Sequence, residues 1–179
     1  MSFFTGTASI LHSSPIPAGV TKEQAIAMLS DHAFFLSCDP LLSKFEPLSP
    51  ASPPVVPDAI TAQARGPRLT TCFTVTDIVH TIPAGLWDTN VVSTYEFTDI
   101  THGVFARIRS PLSVVLDTLW EIKEGEAGGL ELVEAATISC SRLLLGVVKS
   151  QCENGWQKIH AKMLTRLEDE VKAGAAGSG

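Results

Sequence analysis

Two carboxylates stand out when the chain is read with the two-residue period of a β-strand. In the segment Leu130 to Cys140, Glu134 shares a face with Leu130, Leu132, Ala136, Ile138 and Cys140, while Glu131, Thr137 and Ser139 take the other. In Arg68 to His80, Asp77 shares its face with Leu69, Phe73, Val75 and Val79. A carboxylate in apolar company loses hydration, which raises its pKa toward the range where it gives and takes protons near neutrality. The plainer alternatives are a structural Glu134 bonded to backbone or to an arginine, and an Asp77 that bonds turn amides near a strand end. If both face one cavity, they supply a general acid and a general base whose roles are set by their surroundings. Glu134 and Asp77 are therefore the expected catalytic residues.

The remaining polar residues carry less. Arg107 and Arg109 alternate against Val104, Ala106 and Ile108, so they are expected at the surface or paired with the surplus acids; the faces of Asp117 and Glu96 stay open. His32, expected at the end of the first helix, fits either an interaction with the helix dipole or a base in the pocket. The aromatic residues Phe73, Trp87, Tyr95, Phe105, Trp120 and Trp156 supply either core or ring-recognising walls of a ligand cavity. Five scattered histidines and four cysteines without a CxxC pair form no metal-ligand spacing, and no Gly-rich phosphate loop, dinucleotide fingerprint or nucleophile elbow occurs. No metal or cofactor is expected.

The elements that must position these groups follow from composition and pattern. A chain of 179 residues, 45% hydrophobic, is expected to form one domain over 1–173, with a flexible tail at 174–179. Its net charge of −6 without any basic run argues against nucleic acid and acidic membranes as partners. No stretch is apolar enough to span a bilayer and the N-terminus lacks a signal-peptide pattern, so a cytoplasmic protein with reduced thiols is expected. Phe3 to His12 reads as a strand, Thr21 and Gln24 as the capping box of a helix, and Asp39-Pro40 as the start of a second short helix over Leu41 to Phe45. A Pro-rich stretch, Pro47 to Pro57, reads as a loop that either gates a cavity or simply connects. Five tightly joined strands follow: Arg68–His80, Asn90–Ile100, Gly103–Ser110, Ser113–Lys123 and Leu130–Cys140 must pair antiparallel. From Ser141 to about Lys172 an apolar stripe (Leu145, Val148, Cys152, Trp156, Ile159, Met163, Leu167, Val171) predicts one long helix. The fold expected is α+β, a curved antiparallel sheet wrapped around that helix with two short helices after the first strand, leaving a cavity between sheet and helix.

This order resembles the START-like, helix-grip superfamily, which includes polyketide-cyclase and pollen-allergen types. Short stretches resemble a fungal branch of unknown function: Pro17-Ala18-Gly19-Val20-Thr21, Asp31-His32, Asp39-Pro40-Leu41, Thr76-Asp77, Ile82 to Leu86, and Leu130 to Glu134 leading to Cys140. Ala135 and Ser141 depart from that branch, which has a second acid and an asparagine there. The resemblance implies an internal pocket for an apolar small molecule and either catalysis or carriage. The favoured expectation is a cofactor-independent cyclisation, isomerisation or dehydration in polyketide- or terpenoid-type secondary metabolism. The alternative is a non-catalytic carrier or sensor. A hydrophobic small molecule is the expected partner, and a homodimer is allowed for.

Overall fold

The computed structural model describes residues 4–66, 70–80, 88–126 and 128–176. The chain opens with strand β1 (Thr5–Pro15), followed by helices α1 (Lys22–Ser30) and α2 (His32–Ser37) and strand β2 (Leu42–Leu48). A short helix α3 (Asp58–Thr61) precedes β3 (Thr71–His80), β4 (Asp88–Ile100), β5 (Gly103–Ser110), β6 (Val114–Glu124), β7 (Leu130–Ser141) and the C-terminal helix α4 (Arg142–Ala176). The strands form one antiparallel sheet in the order β1-β7-β6-β5-β4-β3-β2.

The Thr21–Gln24 capping box is present and starts α1, whose buried Ala25, Ile26, Met28 and Leu29 face the sheet. Asp31 ends α1 and also caps α2, its carboxylate accepting from the Phe34 N–H. The second helix thus lies one segment earlier than its sequence signal at Leu41 to Phe45 suggested. Asp39 does bond a nearby amide, that of Leu41 at 2.8 Å, but the turn it makes leads into β2. There the free edge of β3 offers ladder hydrogen bonds, and Pro47 is tolerated because β2 is itself an edge strand. His32 accordingly opens α2 rather than ending α1.

The ladder registers put Phe73, Val75 and Asp77 of β3 on the same face as Tyr95 and Phe97 of β4, Ala106 of β5, Thr118 and Trp120 of β6, and Leu132 and Glu134 of β7. This is the inner face. Asp117, which the sequence left open, points outward and holds Arg107 by two bonds of 2.6 and 2.7 Å; Glu96 holds Arg109 at 2.9 Å on the same outer side. The Pro-rich segment runs over that outer face, where Val55 accepts from Arg107 and Val56 packs with Ile60, Ile100 and Phe105. It connects β2 to α3 away from the inner face.

Helix α4, about 50 Å long at the usual rise, continues to Ala176, past Gly174 where a tail was expected. Its buried residues His160, Met163 and Leu167 all belong to its C-terminal half. There α1 and α2 complete a core with Trp120, Ile122 and Leu132. Arg166 ties the helices together through Asp31 at 2.8 Å and lies 4.3 Å over the Phe34 ring. The N-terminal half of α4 buries nothing comparable, and Leu143 and Val147 are exposed.

Two glycines separate backbone need from mere tolerance. A Cβ on Gly103 would stand 1.8 Å from the Trp120 carbonyl oxygen, whereas one on Gly146 in α4 would meet nothing within 4 Å. Urea unfolding should therefore show Gly146→Ala stabilised by up to about 1 kcal/mol. Gly103→Ala should lose at least about 3 kcal/mol or fail to fold.

Candidate functional site

Because α1 and α2 fill only one end of the inner face, the other end stays hollow beneath the first half of α4. The hollow is a cavity of about 440 Å³. Its floor is Val75, Asp77, Tyr95, Thr118, Trp120 and Glu134 of the sheet; its roof is Val148, Cys152, Gly155, Trp156 and Ile159 of α4; Asp39 and the residues after it close the side. Strand parity thus brings both expected carboxylates, Asp77 and Glu134, to one cavity, together with Tyr95, Trp120 and Trp156.

Glu134 is buried but well partnered. β1 pairs with β7 so that His12 lies directly opposite Glu134, and His12 Nδ1 stands 3.0 Å from Glu134 Oε2. The other ring nitrogen, Nε2, is 3.2 Å from Glu153 Oε2 on α4, so both N–H groups of an imidazolium would find carboxylate acceptors. The His12 ring stacks on Trp156 at 4.5 Å and 8°. A second histidine, His160, holds Ser14 Oγ through Nδ1 at 2.8 Å, while its Nε2 lies 3.8 Å from Glu134 Oε2 and has no hydrogen-bond partner. Side chains of the buried cluster grade outward: Glu134 and His12 are 12% and 6% exposed, Glu153 45%. The network runs from cavity wall to solvent.

Asp77 is differently placed. It is 9% exposed, and its Oδ1 is buried without a hydrogen-bond partner. Burial, and next the charge of Asp39, push its carboxyl up to about 6. Burial raises Asp39 as well, against the opposing bond from the Leu41 amide. Tyr95 is pushed well above its usual value, by burial first and then by Asp77, Asp39 and Cys152, so its hydroxyl stays a donor. Cys152 is raised to about 11, by burial first and then by Glu134, which leaves a thiol rather than a nucleophilic thiolate.

Other expected contacts fall elsewhere. Phe105 sits on the outer face with Ile60 and Ile100, opposite in parity to the cavity. Phe73 faces inward but packs against Phe45 and Phe97 in the core. His32 stacks on Phe97 at 4.6 Å and bonds Asp99 at 3.1 Å, away from the cavity lining. Trp87 lies outside the described residues. The histidines that do meet Glu134 were missed in the sequence. His12 carried one legible signal, since Ala8, Ile10 and His12 share a parity; His160 follows Trp156 by one helical turn. Among the described residues no group of three or more His, Cys, Asp or Glu is arranged to hold a metal ion, and no helix is long and apolar enough to cross a membrane.

The raised carboxyl of Asp77 has a measurable sign. Folded Asp77 keeps its proton up to about pH 6, while the unfolded chain releases it near 3.8. Its contribution is complete below about pH 4, is lost as pH rises toward 6, and leaves a standing penalty above. Urea unfolding at pH 7.5 should find Asp77→Asn more stable than wild type by roughly 2–3 kcal/mol, with the difference vanishing near pH 4. A difference independent of pH would show that Asp77 ionises alike in both states.

Comparison with solved structures finds this fold repeatedly. The chain is similar to the di-domain ARO/CYC StfQ from the steffimycin biosynthetic pathway, with a TM-score of 0.62 at 8% identity over 93% of this chain and 52% of the other. It spans about half the length of that di-domain protein. It is also similar to Ara h 8.0201, with a TM-score of 0.56, 13% identity and coverage of 92% and 99%. A conserved protein from Geobacillus kaustophilus gives 0.53 at 8% identity, covering 92% and 95%. At such identities the likeness shows the fold, START-like helix-grip, and nothing of the chemistry. No curated protein matches the sequence. A family model does match, over residues 6–169: the chain belongs to the family described as Domain of unknown function (DUF7053), and its fold is the START-like helix grip.

Proposed function

We propose that the chain binds a hydrophobic small molecule in the cavity under α4 and moves a proton on it without a cofactor, in a cyclisation, isomerisation or dehydration of secondary metabolism. The observation that carries this reading is the presence of Asp77 and Glu134 in the wall of one cavity of about 440 Å³. A volume of that size suits a ligand of several rings, and its walls are mainly apolar and aromatic. Asp77, held up to about 6, is available in both protonation states near neutrality. Glu134 accepts or returns the second proton, and His12 with Glu153 provides the exchange path to solvent. One carboxylate with an unbonded oxygen and one with a histidine behind it are two acid/base groups in unlike surroundings, as acid/base work on one substrate requires. The similarity to an ARO/CYC protein supports the reading at the level of fold. The protein would act in the cytoplasm.

A carrier or sensor role draws on one observation. Glu134 Oε2 is already engaged by His12, so Glu134 could orient a ligand's polar end without proton transfer.

Native mass spectrometry after incubation with a metabolite extract of the source organism separates the two. An enzyme converts a bound compound, and Glu134→Gln and Asp77→Asn each slow the conversion by at least about a hundredfold while retaining binding. A carrier returns the same compound unchanged from wild type and both variants. Conversion at the wild-type rate in both variants would remove the carboxylates from the chemistry.

A further inference from the structure

The two ends of the cavity differ in how their charges are balanced. Glu134 has His12 at 3.0 Å and His160 at 3.8 Å. Among the described residues Asp39 and Asp77 have no such counterion. Among the described residues the only basic side chain lining the cavity is Lys158, on the exposed side of α4. Asp39 spends Oδ1 on the Leu41 amide at 2.8 Å, whereas Asp77, nine-tenths buried, leaves Oδ1 without any partner. Native proteins compensate nearly all buried charges, so a carboxylate in a cavity wall with no counterion among the described residues calls for a cation.

We propose that this cation is the ammonium group of a small apolar amine, seated against the Asp77 and Asp39 side of the cavity with its hydrocarbon body along Tyr95 and the tryptophans. The inference rests on the cavity being a small-molecule site and names the ligand class that site takes. An ammonium brings three donors and a positive charge, which turns the mutual repulsion of the two carboxylates into attraction for a shared ion. The rings of Tyr95, Trp120 and Trp156, all in the cavity wall, offer apolar surface to the hydrocarbon body. A neutral ligand would leave Asp77 desolvated and unpaired. An anionic one would meet three acidic residues, Asp39, Asp77 and Glu134, in one cavity.

Three probes of one shape test this by calorimetry at pH 7.5: 1-naphthylmethylamine, 1-naphthylmethanol and 1-naphthylacetate. The amine is expected to bind at least about tenfold tighter than the alcohol, and the carboxylate most weakly. In Asp77→Asn the amine should keep no more than about a threefold advantage, with the alcohol's affinity unchanged. Asp39→Asn, a second variant on a different segment, should reduce the same ratio by a smaller factor. Equal binding of the three probes, or preference for the carboxylate, overturns the amine assignment and leaves the cavity reading standing. An amine advantage that persists in both variants also overturns it. No binding by any probe removes the small-molecule site itself and the assignment with it.

Discussion

A broad curved sheet with one dry face has more inner surface than a single helix can cover. Helix α4 meets this constraint unevenly. Where α1 and α2 join it, the three helices and the sheet close around Met28, Leu29, Trp120, Leu132, Met163 and Leu167 to form a continuous core. Beyond their reach the same helix bridges open space, and the side chains that would otherwise be core become walls. The cavity is what remains when core-forming elements run out, and its position follows from where α2 ends.

The electrostatics of the hollow follow from its position. Charges lining a dry space are destabilising unless something answers them. At the β1 side an answer is built in: the strand that pairs with β7 carries His12 opposite Glu134, and the seam with α4 adds Glu153 and His160. At the β2 side nothing comparable is found among the described residues, and Asp77 stands with an unbonded oxygen near a second acid. A fold selected only for stability has no reason to keep that second arrangement, which is why the unbalanced end is the more informative about function.

Much of this was legible in the sequence wherever local pattern and final environment agreed. Alternation alone put Asp77 and Glu134 on inward faces, because five strands joined by short turns leave little freedom of register. The capping box of α1 and the stripe of α4 are likewise local and were readable. What escaped was set by distant partners. Leu41 to Phe45 has a helix-start signal, yet becomes strand because the edge of β3 is there to receive it. His12 meets Glu134 across 122 residues, a contact that no spacing within β1 announces. Phe105 looked like a cavity ring until the register fixed its parity outward, where α3 and Val56 cover it. Residue type predicted chemistry, but only topology decided which chemistry met.

The pairing of β1 with β7 also gives the fold a direction in time. Thr5 is aligned with Ser141 and Pro15 with Glu131, so β1 finds its neighbour among the described strands in β7, far along the chain. At ordinary synthesis speeds, roughly ten seconds pass between the two. Until β7 emerges β1 has no ladder to join. Contacts this distant in sequence are the slow ones to form, because chain entropy must be lost before they return anything. His12, Ser14 and Glu134 therefore assemble among the final events of folding. A nascent or partly unfolded chain would carry the Asp39 and Asp77 end of the cavity before it carries the other.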